Sequence, residues 1–165
     1  MKVPLLLLIV AAGFMIQACG GQREEKTPET TPAKSPYTQE QLLLQDSLWT
    51  GIMAVHDSVM PKTSEINRMS QRFKKELKEN PKLDAATKSQ LITVLEFLEQ
   101  SDASMFDWMN NLKQINNLRK AEMPHEEIIS YLLQEKTAIV KVRDAMLTSL
   151  DAGRKLMEQH RLEME

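Results

Sequence analysis

Cysteine and glycine are both scarce in this sequence of 165 residues. Its single cysteine, Cys19, cannot form a disulfide within the chain, so the stability of the fold has to come from packing. Of its five glycines, only Gly51 and Gly153 lie beyond residue 36. Phosphate-binding loops and sheet-rich folds use glycine at special backbone positions, and this scarcity argues against both.

Neither sign of charge dominates the chain. Lysine and arginine total 21 residues against 23 aspartates and glutamates, which gives a formal net charge of -2. Proteins that bind DNA or RNA usually carry a concentrated positive surface, so we expect no nucleic-acid partner. The length leaves room for one domain of ordinary size.

The N-terminus has the pattern of a bacterial lipoprotein signal. Lys2 is followed by an apolar run over residues 3–16, and Ala18 precedes Cys19 as in a lipobox. The run is too short for a stable transmembrane helix. We therefore expect residues 1–18 to be a signal peptide and Cys19 to be the lipidated first residue of the mature protein. The alternative is a plain secretory signal with an incidental cysteine.

Residues 19–37 are expected to form a disordered tether behind the lipid anchor. The stretch contains three prolines, three threonines and charges that cancel, so it can bury little apolar surface. Gly20 stands where an aspartate retains enterobacterial lipoproteins in the inner membrane. The acidic cluster at residues 22–25 looks like a signal that sends Bacteroidota lipoproteins to the cell surface. We expect an outer-membrane location, on its periplasmic or its outer side.

The remaining residues, 38–165, carry the pattern of long helices. Thr38 and Gln41 fit a capping box at the start of the first helix. From there, inward positions step by three and four through Pro61, so we expect one kinked helix over residues 38–79. A break near Met60, giving four helices, is the alternative. The inward positions are 42, 45, 49, 52, 56, 59, 63, 66, 70, 73 and 77.

Two further helices are predicted after this one. Asp84 caps the second, which should end at Arg119 and Lys120, and Pro124 suits the first position of the third. Because both connections are short, consecutive helices should be antiparallel neighbours. The predicted fold is therefore all-α, an elongated antiparallel three-helix bundle.

Polar interruptions of the three inward stripes should fall at one height. Counting 1.5 Å per residue from the two turns places His56 level with about Trp108, and Trp108 level with about Gln134. Glu135 interrupts the stripe of the third helix at the same height. Met60, Met105 and Met109 lie within a turn of this layer. Imidazole and thioether groups suit copper and haem iron, so one interpretation is a site for either. The other is a core histidine held by Glu135 or by a backbone carbonyl, with methionines as filler.

Catalytic templates fit poorly. Glu122 and His125 have the spacing of a di-iron motif, but Pro124 lies between them and no second copy exists. His56, Asp57 and Ser58 contain the residue types of a hydrolase triad, yet adjacent helical residues are not expected to face each other. We expect a protein that is not an enzyme.

Two short motifs resemble a known group. HDSVMPK at residues 56–62, with Ile66 downstream, and MFDWMNNLK at residues 105–113 are similar to sequences in small helical lipoproteins of the Bacteroidota. Some of these carry the label "viral A-type inclusion protein". The resemblance covers most of residues 40–160 and implies an envelope setting without an activity.

These observations favour a membrane-anchored, non-enzymatic helical lipoprotein of the envelope. It would act as a protein-interaction or structural module, with the membrane and an unidentified protein as partners and with no cofactor. Binding or sequestration of copper or haem through His56, Met60, Met105 and Met109 is the alternative.

Overall fold

The computed structural model describes residues 35–163, and this part of the chain is all-α, as predicted. No strand occurs among these residues. The predicted signal peptide, the lipidation site Cys19 and most of the tether lie outside them. The elements are α1 (Gln39–Val59), a 3₁₀ turn (Met60–Lys62), α2 (Thr63–Glu79), α3 (Ala85–Asn111), α4 (Ile115–Lys120) and α5 (His125–His160).

The predicted starts of the first two helices are confirmed by their caps. The Thr38 hydroxyl accepts a hydrogen bond from the Gln41 amide at 3.2 Å, and the Gln41 side chain accepts from the Thr38 amide at 2.9 Å. Asp84 caps α3 by accepting from the Thr87 amide at 3.0 Å. Hydrogen bonds from Thr87 lower the pKa of Asp84. Each cap satisfies a backbone donor that has no partner inside the helix.

The compact unit starts slightly before the predicted boundary at residue 38. It begins at Ser35, and the Tyr37 hydroxyl donates to the carbonyl of Met123 at 2.7 Å. Tyr37 also packs against the core. Residues 35–37 therefore belong to the helical unit.

At Pro61 the structure lies between the two predicted alternatives, one kinked helix and a break near Met60. Helical conformation continues from α1 into α2, but a single 3₁₀ turn separates them. Pro61 stands in the first positions of that turn, where its missing N–H is tolerated. The inward stripe keeps its phase across the turn, since Ile52, Val59 and Ile66 are all buried.

The second predicted helix is shorter than expected. It was predicted to continue to Arg119 and Lys120, but α3 ends at Asn111 and α4 begins at Ile115. Leu112 has extended backbone angles, φ −66° and ψ 118°. The Lys113 amide donates to the Tyr131 hydroxyl of α5 at 2.7 Å. This long-range bond satisfies a backbone donor that a continuous helix would have used internally.

The third predicted helix corresponds to α5 with a shift of one residue at its start. Pro124 is the cap residue rather than the first helical residue, and Glu126 and Glu127 lie in the first turn, where their charges suit the helix dipole. The helix ends at His160, after which Arg161 adopts a left-handed conformation. At its other end, α5 is joined to α4 by a tight turn over residues 121–124.

A single hydrophobic core connects these helices. The main contacts join α1 to α5, α2 to α3, and α3 to α5. Ser101 and Ser149 share a buried hydrogen bond of 2.8 Å between α3 and α5, and Arg154 of α5 contacts Glu65 of α2 at 2.6 Å. The hydrogen bond from Arg154 lowers the pKa of Glu65.

The backbone of α5 approaches α2 closely at Gly153. A Cβ placed on Gly153 would lie 2.0 Å from the sulfur of Met69, which is fully buried. Gly51 in α1 differs, because a Cβ placed there meets nothing within 4 Å. The two glycines beyond the tether therefore occupy opposite packing environments within helices.

We expect Gly153→Ala to destabilise the fold and Gly51→Ala to stabilise it. Alanine favours either helix by about 1 kcal/mol, but overpacking costs about 1–3 kcal/mol. Met69 is flexible but fully buried, so its side chain must shift within a packed core and Gly153→Ala should fall within that range. Urea unfolding of the full chain measures both changes.

The double variant Gly153→Ala with Met69→Ala is the control for this mechanism. Removing the sulfur should abolish the additional cost of Gly153→Ala, giving a clearly non-additive pair. Equal effects of alanine at Gly51 and Gly153 would contradict the close approach.

Candidate functional site

Three residues of the predicted polar layer meet in the folded chain. The rings of His56 and Trp108 lie with centroids 5.8 Å apart and planes inclined by 33°. The indole N–H of Trp108 donates to a carboxylate oxygen of Glu135 at 2.8 Å. The layer therefore joins α1, α3 and α5 at the height expected from the helical rise.

Glu135 and His56 have different polar partners from those expected. Glu135 accepts from Trp108, whereas Nδ1 of His56 lies 2.8 Å from Oδ1 of Asp57. The side chain of His56 is 14 % exposed and that of Asp57 is 71 % exposed. Neighbouring helical residues thus do contact each other here, contrary to expectation. The hydroxyl of Ser58 donates to the carbonyl of Val55 at 2.6 Å instead of joining them.

The three methionines of the layer occupy different environments. Met105 is fully buried, Met60 is partly buried against the core, and Met109 is 38 % exposed. Met105 therefore lies in the core, whereas Met109 is partly open to solvent. Within residues 35–163, no cluster of three or more His, Cys, Asp or Glu side chains could hold a metal ion.

A second polar cluster, centred on Gln45, was missed by sequence analysis. Gln45 is completely buried in α1. Its side-chain oxygen accepts from Nε of Arg119 at 2.7 Å, and its amide nitrogen lies 3.0 Å from Nδ1 of His125. Arg119 also contacts Asp46 at 2.7 Å. Gln45 was visible as a polar residue in the inward stripe, but its partners come from α4 and the start of α5.

The donors and acceptors of the Gln45 cluster fix the tautomer of His125. Because the Gln45 oxygen accepts from Arg119, its amide group points its N–H bonds towards His125. Nδ1 of His125 must then accept, so a neutral ring carries its proton on Nε2. The cluster holds α1, α4 and α5 together through hydrogen bonds made inside the fold.

Comparisons with protein-family models, with curated proteins and with solved structures found no match to this chain. None of the helices within residues 35–163 has an apolar stretch long enough to cross a membrane.

Substitution by leucine should have very different effects at two polar residues of the same inward stripe. Gln45→Leu leaves Nε of Arg119 and Nδ1 of His125 without partners, so it should cost about 1–3 kcal/mol. His56→Leu frees only Asp57, which water can solvate, and should change the free energy of unfolding by less than about 1 kcal/mol.

Chemical unfolding of the full chain with each substitution measures the difference, and an unchanged helical circular dichroism signal confirms that both variants fold. A similar loss for both variants would show that the buried bonds of Gln45 do not distinguish the two positions.

Proposed function

We propose that this protein is a lipid-anchored, non-enzymatic helical module of the outer membrane that acts by contact with a protein partner. The observation that best supports a function through surface contact is that side chains fill the interior of the fold. Twelve large side chains are completely buried, and the cavities found among the described residues are grooves between or along helices. Ligand sites of enzymes usually lie in deeper concave pockets. The anchor and the location rest on the sequence pattern around Cys19.

We infer that the described helices form an antiparallel three-helix bundle, with α1 and α2 together as its first member. His56 contacts Trp108, and further along α2 Lys74 pairs with Glu99, which comes earlier in α3. Residue numbers therefore rise on one member while they fall on the other. The pairs Trp108 with Glu135 and Ser101 with Ser149 follow the same opposite order between α3 and α5.

Exposed apolar side chains supply surfaces on which a partner could pack. Leu43 and Leu44 are 61 % and 48 % exposed at the start of α1, and Leu133 is 49 % exposed on α5. Apolar side chains at a surface contribute to binding when a partner removes them from water. Scattered exposed residues are also common in monomers, so their role has to be tested at individual positions.

Photo-crosslinking in the native host tests both the anchor and the contact. A photoreactive residue at Leu43 or Leu133 of the full chain should give a discrete crosslinked product in the membrane fraction. Gln90, which is exposed and polar, serves as the control position. Cys19→Ser should leave an unprocessed precursor or a soluble product, and the crosslink should disappear with the anchor.

Two results would contradict the proposal. One is unchanged detergent partition of Cys19→Ser, with no acyl chain on the wild-type mature peptide by mass spectrometry. The other is turnover of a substrate by the purified chain that a single substitution abolishes while the helices stay folded.

The copper or haem alternative would use His56 with Met60, Met105 or Met109. Titration of the full chain with Cu(I), Cu(II), Zn(II) and haem separates it from the first proposal. We expect no one-to-one binding tighter than micromolar, because Met109 is exposed and Nδ1 of His56 already faces Asp57. Saturable binding that His56→Leu abolishes would favour the alternative.

A further inference from the structure

Ser70 differs from the other polar residues of the core. It is 5 % exposed, and its hydroxyl oxygen has no hydrogen-bond partner among the described residues. The other buried polar residues in residues 35–163 are Gln45, Thr87, Ser101 and Ser149, and each has a partner. A buried hydroxyl without a partner destabilises the fold, so such groups are rare and often mark a function.

Asp102, on the neighbouring helix α3, also has a buried polar atom without a hydrogen-bond partner in the described part of the chain. One of its carboxylate oxygens is buried and also lacks a hydrogen-bond partner among the described residues. Burial raises the pKa of Asp102. Ser70 and Asp102 line one cavity between α2 and α3, of about 230 Å³. His160 holds the third unpartnered buried atom and does not line this cavity.

This cavity continues into a second one, and together they form what we name the α2–α3 groove. The second section is about 370 Å³, and the two share Asn67 and Asp102 as lining residues. Phe106, 44 % exposed, lies along the second section. The groove therefore combines side chains that donate or accept hydrogen bonds with one accessible aromatic ring.

The charges along the α2–α3 groove balance. Asp102 and Arg68 carry opposite charges, and Lys74 is paired with Glu99 at 2.5 Å. A ligand of either charge would therefore meet an unfavourable group as well as a favourable one. An uncharged ligand that both donates and accepts hydrogen bonds suits this lining best.

We propose that the α2–α3 groove binds an uncharged saccharide unit. Its hydroxyl groups would supply the partners that Ser70 and Asp102 lack, because a hydroxyl both donates and accepts. The amide of Asn67 can make two further hydrogen bonds, and the apolar C–H face of a sugar ring can lie on the face of Phe106. The ligand site is independent of the protein contact proposed above, which uses exposed residues of α1 and α5.

Saturation-transfer NMR with the full chain is the direct test. The probes are D-glucose, D-galactose, D-mannose and N-acetyl-D-glucosamine, with D-glucosamine and D-glucuronate as charged comparisons. At least one uncharged sugar should receive saturation from the protein at millimolar concentration. The charged comparisons should bind more weakly than their uncharged counterparts.

Substitutions in the groove should weaken the binding that this experiment detects. Asp102→Asn should raise the Kd about tenfold, because a neutral amide oxygen accepts a hydrogen bond more weakly than a carboxylate oxygen. Phe106→Ala should reduce the transfer to the C–H face. Asp107→Asn and Ile92→Ala, at exposed positions of the same helix, are the matched controls and should leave the Kd unchanged.

Thermal unfolding without sugar separates a ligand role from loss of the fold. Ser70→Ala removes a buried hydroxyl without a partner among the described residues, and Asp102→Asn removes the charge of a partly buried carboxylate, so both should unfold at the same temperature as the wild type or higher. The proposal is overturned if no uncharged sugar receives saturation, if D-glucosamine alone does so, or if transfer persists unchanged in Asp102→Asn and Phe106→Ala.

Discussion

The fold depends on the inward face of the first helical segment staying in phase through Pro61. Proline inside a helix removes a backbone hydrogen bond and costs about 3 kcal/mol. The 3₁₀ turn reduces this cost, since the Met60 amide still bonds the carbonyl of His56, and the Met60 carbonyl accepts from the Thr63 hydroxyl at 2.9 Å. Because the phase is kept, α1 can pack on α5 while α2 packs on α3. A slip of one residue at the turn would rotate Ile66 and Phe73 out of the core.

The features predictable from the sequence are those that repeat regularly or act locally. The inward stripe follows from the period of 3.6 residues, and the caps at Thr38 and Asp84 use side chains three residues from the donors they satisfy. The meeting of His56 with Trp108 follows from a constant rise counted from the turns. The break after Asn111 could not be found in this way. It is accompanied by a bond from Lys113 to Tyr131, 18 residues away, that no local pattern records.

The candidate sites differ in how much of them a sequence can reveal. His56 stands out because a histidine interrupts an apolar stripe, although its bond to Asp57 was not anticipated. Gln45 stands out in the same stripe, but its structural role depends on hydrogen bonds with Arg119 and His125, which belong to two other helices. Ser70 was among the predicted inward positions, but the sequence does not show that its hydroxyl lacks a partner within residues 35–163. The same is true of the buried oxygen of Asp102, because both depend on how α2 packs against α3.

The distribution of satisfied polar groups also distinguishes the interfaces. Between α3 and α5, the Ser101–Ser149 and Trp108–Glu135 hydrogen bonds lie about two turns apart along α3 and about four turns apart along α5, and sliding either helix by one turn would break both. This interface therefore has a defined register beyond its apolar packing. Between α2 and α3, the pair of Lys74 and Glu99 is about half exposed, and such surface pairs contribute little. The unsatisfied groups of Ser70 and Asp102 lie on this second interface. A ligand that formed hydrogen bonds with both groups would fix the register of α2 against α3, as the hydrogen bonds between α3 and α5 do for their interface.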